Sequence, residues 1–223
     1  MHLRKSNKIL IYFLLLLILG SINNIKLDKI NFSNISNIEI LGLGNENHQT
    51  LLENINNLKL GNIFFLEKEK LDNLISSNSL VEKYDIFKVY PSSLYVNIEK
   101  TKFLARLNQN GNHYIIGSNG KLSNNNLNSQ SLPFIFGRPK IDEFLKFKKI
   151  IDDSKLEFRE IKNFYYFASG RWDIELNNDL LIKLPDKDID QSLKFIFDFL
   201  NNNNLVDINI VDARIRNQII LND

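Results

Sequence analysis

The chain has 223 residues, 43% apolar and 24% charged, with a formal net charge of +2 and no cysteine. Near-neutral charge without a basic block argues against a nucleic-acid-binding surface, and the absence of cysteine argues against a small disulfide-framed fold. The length admits one large domain or two small ones, with enough apolar residues for real cores.

A basic stub over residues 1–8, carrying His2, Arg4, Lys5 and Lys8, runs straight into Ile9-Leu10-Ile11-Tyr12-Phe13-Leu14-Leu15-Leu16-Leu17-Ile18-Leu19. Nothing later in the chain is comparably apolar. Positive charge before the run and none inside it orients a membrane segment with its N-terminus in the cytoplasm, so everything after about Asn23 is exported. From Ile9 to Ile22 the run spans about 14 residues, roughly 21 Å as helix, against a hydrocarbon core of about 30 Å. That length suits a signal peptide. The exit, Leu19-Gly20-Ser21-Ile22-Asn23-Asn24, carries no clear small-x-small cleavage site, and Lys8 and Ile25 extend the span at its two ends, which favours a retained helix over residues 9–25.

Residues 26–36 read as a polar linker. A first module then occupies 37–103. Ile38 and Ile40 alternate with polar neighbours as a half-buried strand that ends at Gly42-Leu43-Gly44. Leu51, Leu52 and Ile55, and later Leu71, Leu74 and Ile75, fall at helical spacing. Between these helices Leu60-Gly61-Asn62-Ile63-Phe64-Phe65 reads as a turn into an apolar anchor. Val81 to Val89 and Leu94 to Ile98 are two strands around Tyr90-Pro91-Ser92-Ser93. The order strand, helix, helix, strand, strand predicts a small α+β unit with helices on one sheet face.

The second module, residues 104–223, is β-rich with flanking helices. Short strands and turns run from Leu104 to Ile135, broken by Gly117-Ser118-Asn119-Gly120 and by a loose Ser/Asn stretch from Ser123 to Ser131. Ile141, Phe144, Leu145 and Lys148 predict a helix. Trp172, Ile174 and Leu176 alternate, Asn177-Asn178-Asp179 turns, and Leu180, Ile182 and Leu184 alternate back as a hairpin. Asp188 with Gln191 resembles a capping box opening a helix whose core stripe is Ile189, Leu193, Ile196, Phe197 and Leu200. A last strand pair lies within Asp207 to Leu221, its second member at or near a sheet edge.

Chemistry-bearing patterns are sparse. Of three histidines only His113 sits in the second module, and no H-E-x-x-H or G-x-S-x-G spacing exists. Gly42-Leu43-Gly44 lacks the third glycine of a dinucleotide loop, and Gly117 to Gly120 lacks the lysine of a phosphate loop. Asp152 and Asp153 read as solvated helix-end charge, and Trp172 as core. No catalytic residue, cofactor or metal ligand is assigned, which points to binding or scaffolding.

Five local motifs, in order, carry a resemblance. Gly61-Asn62-Ile63-Phe64-Phe65, Tyr90-Pro91-Ser92-Ser93-Leu94-Tyr95-Val96-Asn97-Ile98-Glu99-Lys100, Leu132-Pro133-Phe134-Ile135-Phe136-Gly137, Arg171-Trp172-Asp173-Ile174-Glu175-Leu176 with Leu184-Pro185, and Val211-Asp212-Ala213-Arg214 are similar to signatures of the FtsQ/DivIB family of bacterial cell-division proteins. The chain departs from the family pattern at Ala213, where leucine is preferred, and at Gly117-Ser118, in place of Ile-Asp. The resemblance implies a POTRA module over 37–103 and the family's C-terminal β domain over 104–223. It implies a retained single-pass helix in the inner membrane, with the bulk periplasmic and gathered at the division septum.

It also implies a non-enzymatic divisome scaffold that links early and late division proteins. Such a scaffold binds coiled-coil membrane partners of the FtsB/FtsL type and helps control septal cell-wall synthesis. A C-terminal edge strand with unpaired N–H and C=O groups would accept a partner segment as a further strand. The candidate edge is Asn217-Gln218-Ile219-Ile220-Leu221, approached by Arg214, Ile215 and Arg216. Ile219 and Leu221 alternate toward the core and leave Ile220 outward. Arg216 suits an acidic group on the partner, while Asp212 and Arg214 suit either an internal pair or a partner contact. Two rival classes are a POTRA-containing envelope assembly or secretion factor, which would need a long barrel, and a periplasmic hydrolase.

Overall fold

A computed structural model describes residues 5–22, 34–124, 131–202 and 208–222. Outside the described residues lie part of the basic stub (1–4), the end of the expected membrane segment, and the linker up to 33. Residues 125–130 of the Ser/Asn stretch and 203–207, after the last expected helix, also lie outside them.

Helix α1 (Lys5–Ile22) has 18 residues. Its side chains from Ile9 to Leu19 are all exposed, from 42% at Ile18 to 70% at Tyr12. Among the described residues no helix is long and apolar enough to cross a membrane.

The first module follows the expected order: β1 (Asn37–Leu41), α2 (Asn45–Asn57), α3 (Lys68–Ser77), β2 (Val81–Val89) and β3 (Ser93–Lys100). The sheet order is β1-β3-β2, with β1 parallel and β2 antiparallel to the central strand. Ile40, Leu94, Val96 and Ile98 on one sheet face bury Leu51 and Ile55 of α2 and Leu71 and Ile75 of α3. The strand-to-helix exit needs Gly42. At φ +94 a Cβ there would sit 1.8 Å from the Ile98 carbonyl oxygen, so the close approach of two backbones selects glycine. The expected apolar anchor is split. Ile63 and Leu66 are buried, while Phe64 is 50% and Phe65 75% exposed.

Among the described residues the second module is one nine-stranded mixed sheet. Its elements are β4 (Phe103–Gln109), β5 (Asn112–Gly117), β6 (Leu122–Ser123), β7 (Phe134–Phe136), α4 (Ile141–Asp152), β8 (Ile161–Tyr166), β9 (Trp172–Leu176), β10 (Leu181–Lys183), α5 (Ile189–Asn202), β11 (Ile210–Asp212) and β12 (Ile220–Asn222). The order across the sheet is β12-β11-β10-β9-β8-β7-β4-β5-β6. The pairs β4–β7, β7–β8 and β10–β11 are parallel; the last two are joined through helices α4 and α5, the usual long crossover between parallel neighbours. Phe144, Phe147 and Ile151 of α4 and Leu193 and Ile196 of α5 close over Ile135, Phe164, Trp172, Ile174, Ile182 and Val211. Trp172 is core as expected, stacked on Phe147 at 4.6 Å with ring planes 9° apart.

Asp188 has φ +53. Its carbonyl accepts from the Ser192 N–H at 3.0 Å and from the Ser192 hydroxyl at 3.1 Å, so helix α5 opens on backbone acceptance at the position read as a capping box.

The two modules meet through polar groups. The Glu82 carboxylate accepts from Thr101 Oγ1 at 2.9 Å and from Ser118 Oγ at 2.7 Å. Asn119 Nδ2 donates to the carbonyls of Ser79 and Val81 at 3.0 and 2.9 Å. Lys121 reaches the carbonyls of Ser76 and Asn78 at the end of α3, where the helix dipole favours a cation. The turn Gly117-Ser118-Asn119-Gly120, anticipated only as a turn, is thus also the clasp between modules.

Candidate functional site

Strand β12 pairs antiparallel with β11 in the register Ile210↔Asn222, Val211↔Leu221 and Asp212↔Ile220. It terminates the sheet order, so among the described residues its far side carries no paired strand. Alternation along three residues decides what that edge presents. Leu221, opposite the buried Val211, and Ile219 pack against the core, and Ile220 is 45% exposed on the opposite face.

The strand is shorter than the sequence suggests. Asn217 and Gln218 lie outside it: Asn217 adopts φ +58, and the Gln218 N–H donates to the Ile215 carbonyl at 3.2 Å. Asparagine tolerates the left-handed conformation that a tight turn needs, so these residues close the turn rather than extend the edge.

Arg214 is bound within the chain. Its guanidinium donates to both Asp212 oxygens, with Nη2 to Oδ2 at 2.5 Å and Nε to each oxygen at 2.9 Å. The Arg214 N–H adds a 3.1 Å bond to Asp212 Oδ1. These hydrogen bonds hold the Asp212 carboxyl below the usual carboxylate range, against the desolvation that would raise it. The pair therefore fixes the exit from β11 as an internal structural unit. Beyond it, Ile215 is 56% exposed and Arg216 is exposed.

Ile215 and Arg216 share a shallow notch with Gln191 and Phe195 of α5. Phe195 is 43% exposed and was not anticipated as part of this site. Helical periodicity places it off the core stripe of Leu193 and Ile196, and nothing in the sequence brings that face of α5 beside the β11–β12 turn.

Elsewhere, two acidic groups of the second sheet are engaged in structural pairs. Asp173 is 3% exposed; burial raises its carboxyl, opposed by the hydrogen bonds from Arg171. Glu175 accepts from Tyr165 at 2.5 Å, from Asn163 at 2.9 Å and from Lys162 at 3.0 Å. Desolvation works to raise the Glu175 carboxyl, yet these bonds together leave it lowered. His113 is exposed on β5. Among the described residues no group of three or more His, Asp or Glu is placed to hold a metal ion.

Comparison with known proteins adds independent evidence. Residues 33–100 match the family described as POTRA domain, FtsQ-type, and residues 105–214 match cell division protein FtsQ/DivIB, C-terminal. The chain is 24% identical over 182 residues to the cell division protein FtsQ of Rickettsia bellii, covering 76% of this chain and 64% of that protein. It is 28% identical over 167 residues to the FtsQ of Rhizobium meliloti, covering 69% of this chain and 51% of that protein. With the DivIB of Bacillus subtilis it shares 27% identity over 121 residues, covering 53% of this chain and 45% of the relative. The two family matches occupy adjoining stretches in the order that the two modules take along the chain, and the named relatives agree with both. The chain belongs to the FtsQ/DivIB family of cell-division proteins.

Proposed function

We propose that the chain is a non-enzymatic, membrane-tethered scaffold of the division septum, and that the β12 edge receives a strand from a small coiled-coil membrane partner of the FtsB/FtsL type. The observation that carries this reading is the position of β12 at the end of the sheet order with Ile220 outward. An open edge offers backbone donors and acceptors in register. Ile220, Ile215 and Phe195 add apolar surface beside it, and Arg216 adds a cation for an acidic partner group. Asp212 and Arg214 act upstream, by holding the turn.

In this reading α1 is the single membrane anchor, with the N-terminus cytoplasmic and the rest periplasmic. Eleven consecutive side chains from Ile9 to Leu19, apolar or aromatic and all exposed, favour lipid over water. Arg4, Lys5 and Lys8 stand on the side that the positive-inside rule assigns to the cytoplasm. Modules 37–103 and 104–223 act as separate docking units, the first toward other division proteins.

The test is capture of coiled-coil membrane proteins by the detergent-solubilised full chain, wild type against Ile220→Glu. A buried carboxylate at an augmented edge costs several kcal/mol, so capture falls by at least about tenfold while the far-ultraviolet spectrum and unfolding midpoint stay unchanged. Equal capture by the two proteins removes the edge-strand reading.

A further inference from the structure

Three strongly exposed aromatic side chains gather at one pole of the first module. Phe64 is 50%, Phe65 75% and Tyr90 58% exposed, and the Phe64 and Tyr90 rings lie 5.0 Å apart. Their display is built in. Asn62 Oδ1 accepts from the Phe64 N–H at 3.0 Å and the Phe65 N–H at 3.1 Å, while Ile63 and Leu66 on either side are buried. Lys88 Nζ donates to the Ile63 carbonyl at 2.9 Å and ties the loop to β2. A loop pinned at both ends and turned by its own asparagine presents two phenylalanines to the outside.

The same pole is where the chain arrives from α1. Asn34 bridges to Asn62, and the Ile35 N–H donates to the Gly61 carbonyl at 2.8 Å. At the next residue, the Ser36 N–H donates to the Ser92 carbonyl at 2.9 Å, and the two serine hydroxyls meet at 3.0 Å. The incoming strand thus enters between the loop that carries Phe64 and Phe65 and the turn that carries Tyr90. Only residues 23–33 separate the end of α1 at Ile22 from this point. Lys59 and Lys88 flank the pole, and Glu67 beside it is paired with Lys70 at 2.5 Å.

We infer that this aromatic tip docks on the bilayer surface, with Phe64 and Phe65 entering the headgroup and upper acyl region, Tyr90 at the interface, Lys59 facing anionic headgroups, and Lys88, held at the Ile63 carbonyl, adding positive charge behind the loop. Aromatic rings on a basic, membrane-proximal tip match the chemistry of the membrane–water interface. The inference rests on the reading of α1 as an anchor. Its consequence is orientation: a second contact beside the tether stops the exported modules from swinging freely and sets the height and tilt at which β12 meets a membrane-anchored partner.

Trp172, the single tryptophan, is 3% exposed and supplies a constant background. The full chain is reconstituted in phosphatidylcholine–phosphatidylglycerol vesicles with brominated acyl chains, as Tyr12→Trp, Phe65→Trp and His113→Trp variants. Phe65→Trp emission is expected to shift blue and to fall on the order of twofold, most with bromine near the headgroup end. Tyr12→Trp is quenched most by deeper bromine, and His113→Trp is unaffected. If Tyr12→Trp is quenched while Phe65→Trp matches His113→Trp, or shifts blue without quenching because protein covers it, docking is overturned and the anchor stands. If Tyr12→Trp is not quenched, the anchor reading falls and this inference with it.

Discussion

Ser118 donates its hydroxyl to the Glu82 carboxylate at 2.7 Å, although the two residues are 36 positions apart and belong to different modules. Thr101, on the connection between β3 and β4, donates to the same oxygen. The join between modules is therefore a directional polar network in which each partner fixes the others, rather than a greasy contact that could slide.

Asn119→Ala removes the donor to the Ser79 and Val81 carbonyls and the acceptor for the Lys121 N–H. Leaving those groups unmatched is expected to cost about 1–3 kcal/mol. Calorimetry on the variant should resolve two unfolding transitions, one per module. A single transition at the wild-type midpoint would show that the clasp does not couple them.

Asp173 is buried, and its carboxyl is already raised by that burial; the hydrogen bonds from Arg171 pull the other way. Arg171→Ala removes the counter-ion, which raises the carboxyl further. A group whose folded pKa lies above its unfolded one penalises the fold at high pH, and the penalty vanishes below the unfolded value. The variant is expected to lose about 2–3 kcal/mol near neutrality, and the loss should shrink as pH falls toward about 4. Denaturant unfolding at several pH values checks this; a pH-independent loss refutes the electrostatic account.

Burial, reinforced by the hydrogen bond to Glu175, pushes the Tyr165 phenol up from 10.0 to about 12. The neutral phenol is the folded-state form, so its contribution is complete below about 10 and is lost as pH rises through about 12. An ultraviolet titration should end in a tyrosinate component near 12 that Tyr165→Phe abolishes. Its persistence in that variant would assign the component elsewhere.

Phe147 is 2% exposed and lies flat against Trp172. Phe147→Ala leaves a void between α4 and the sheet, and should cost about 3–5 kcal/mol. Trp172 emission should move to longer wavelength in the native state as water gains access; an unshifted spectrum would mean that the site collapses around the void.

The elements of the first module were legible because each apolar pattern has one period and one burial face. Leu51 and Ile55, or Leu94, Val96 and Ile98, name their own core. Helix α4 was harder. Ile141, Phe144 and Leu145 announce it, yet its deepest side chains also include Phe147 and Ile151, whose burial depends on β7 and β8 lying beneath. The loop Gly61–Phe65 misled for a related reason. All three apolar side chains there look equivalent in sequence, and only the Asn62 hydrogen bonds decide that Ile63 goes in while Phe64 and Phe65 go out.

Local alternation, turn residues and the apolar run at the front were enough to specify the element order of the first module, the Trp172–Leu184 hairpin and last helix of the second, and the family, because these depend on neighbours a few positions apart; strand β8 (Ile161–Tyr166), central in the second sheet, was not among them. Tertiary structure alone decided that β12 is the last strand of a nine-stranded sheet, that Arg214 is spent on Asp212, that Phe195 stands beside the edge, and that Ser118 and Asn119 hold the modules together. Each of those depends on which distant segments meet, and sheet pairing between segments far apart in sequence is written in geometry that no local period encodes.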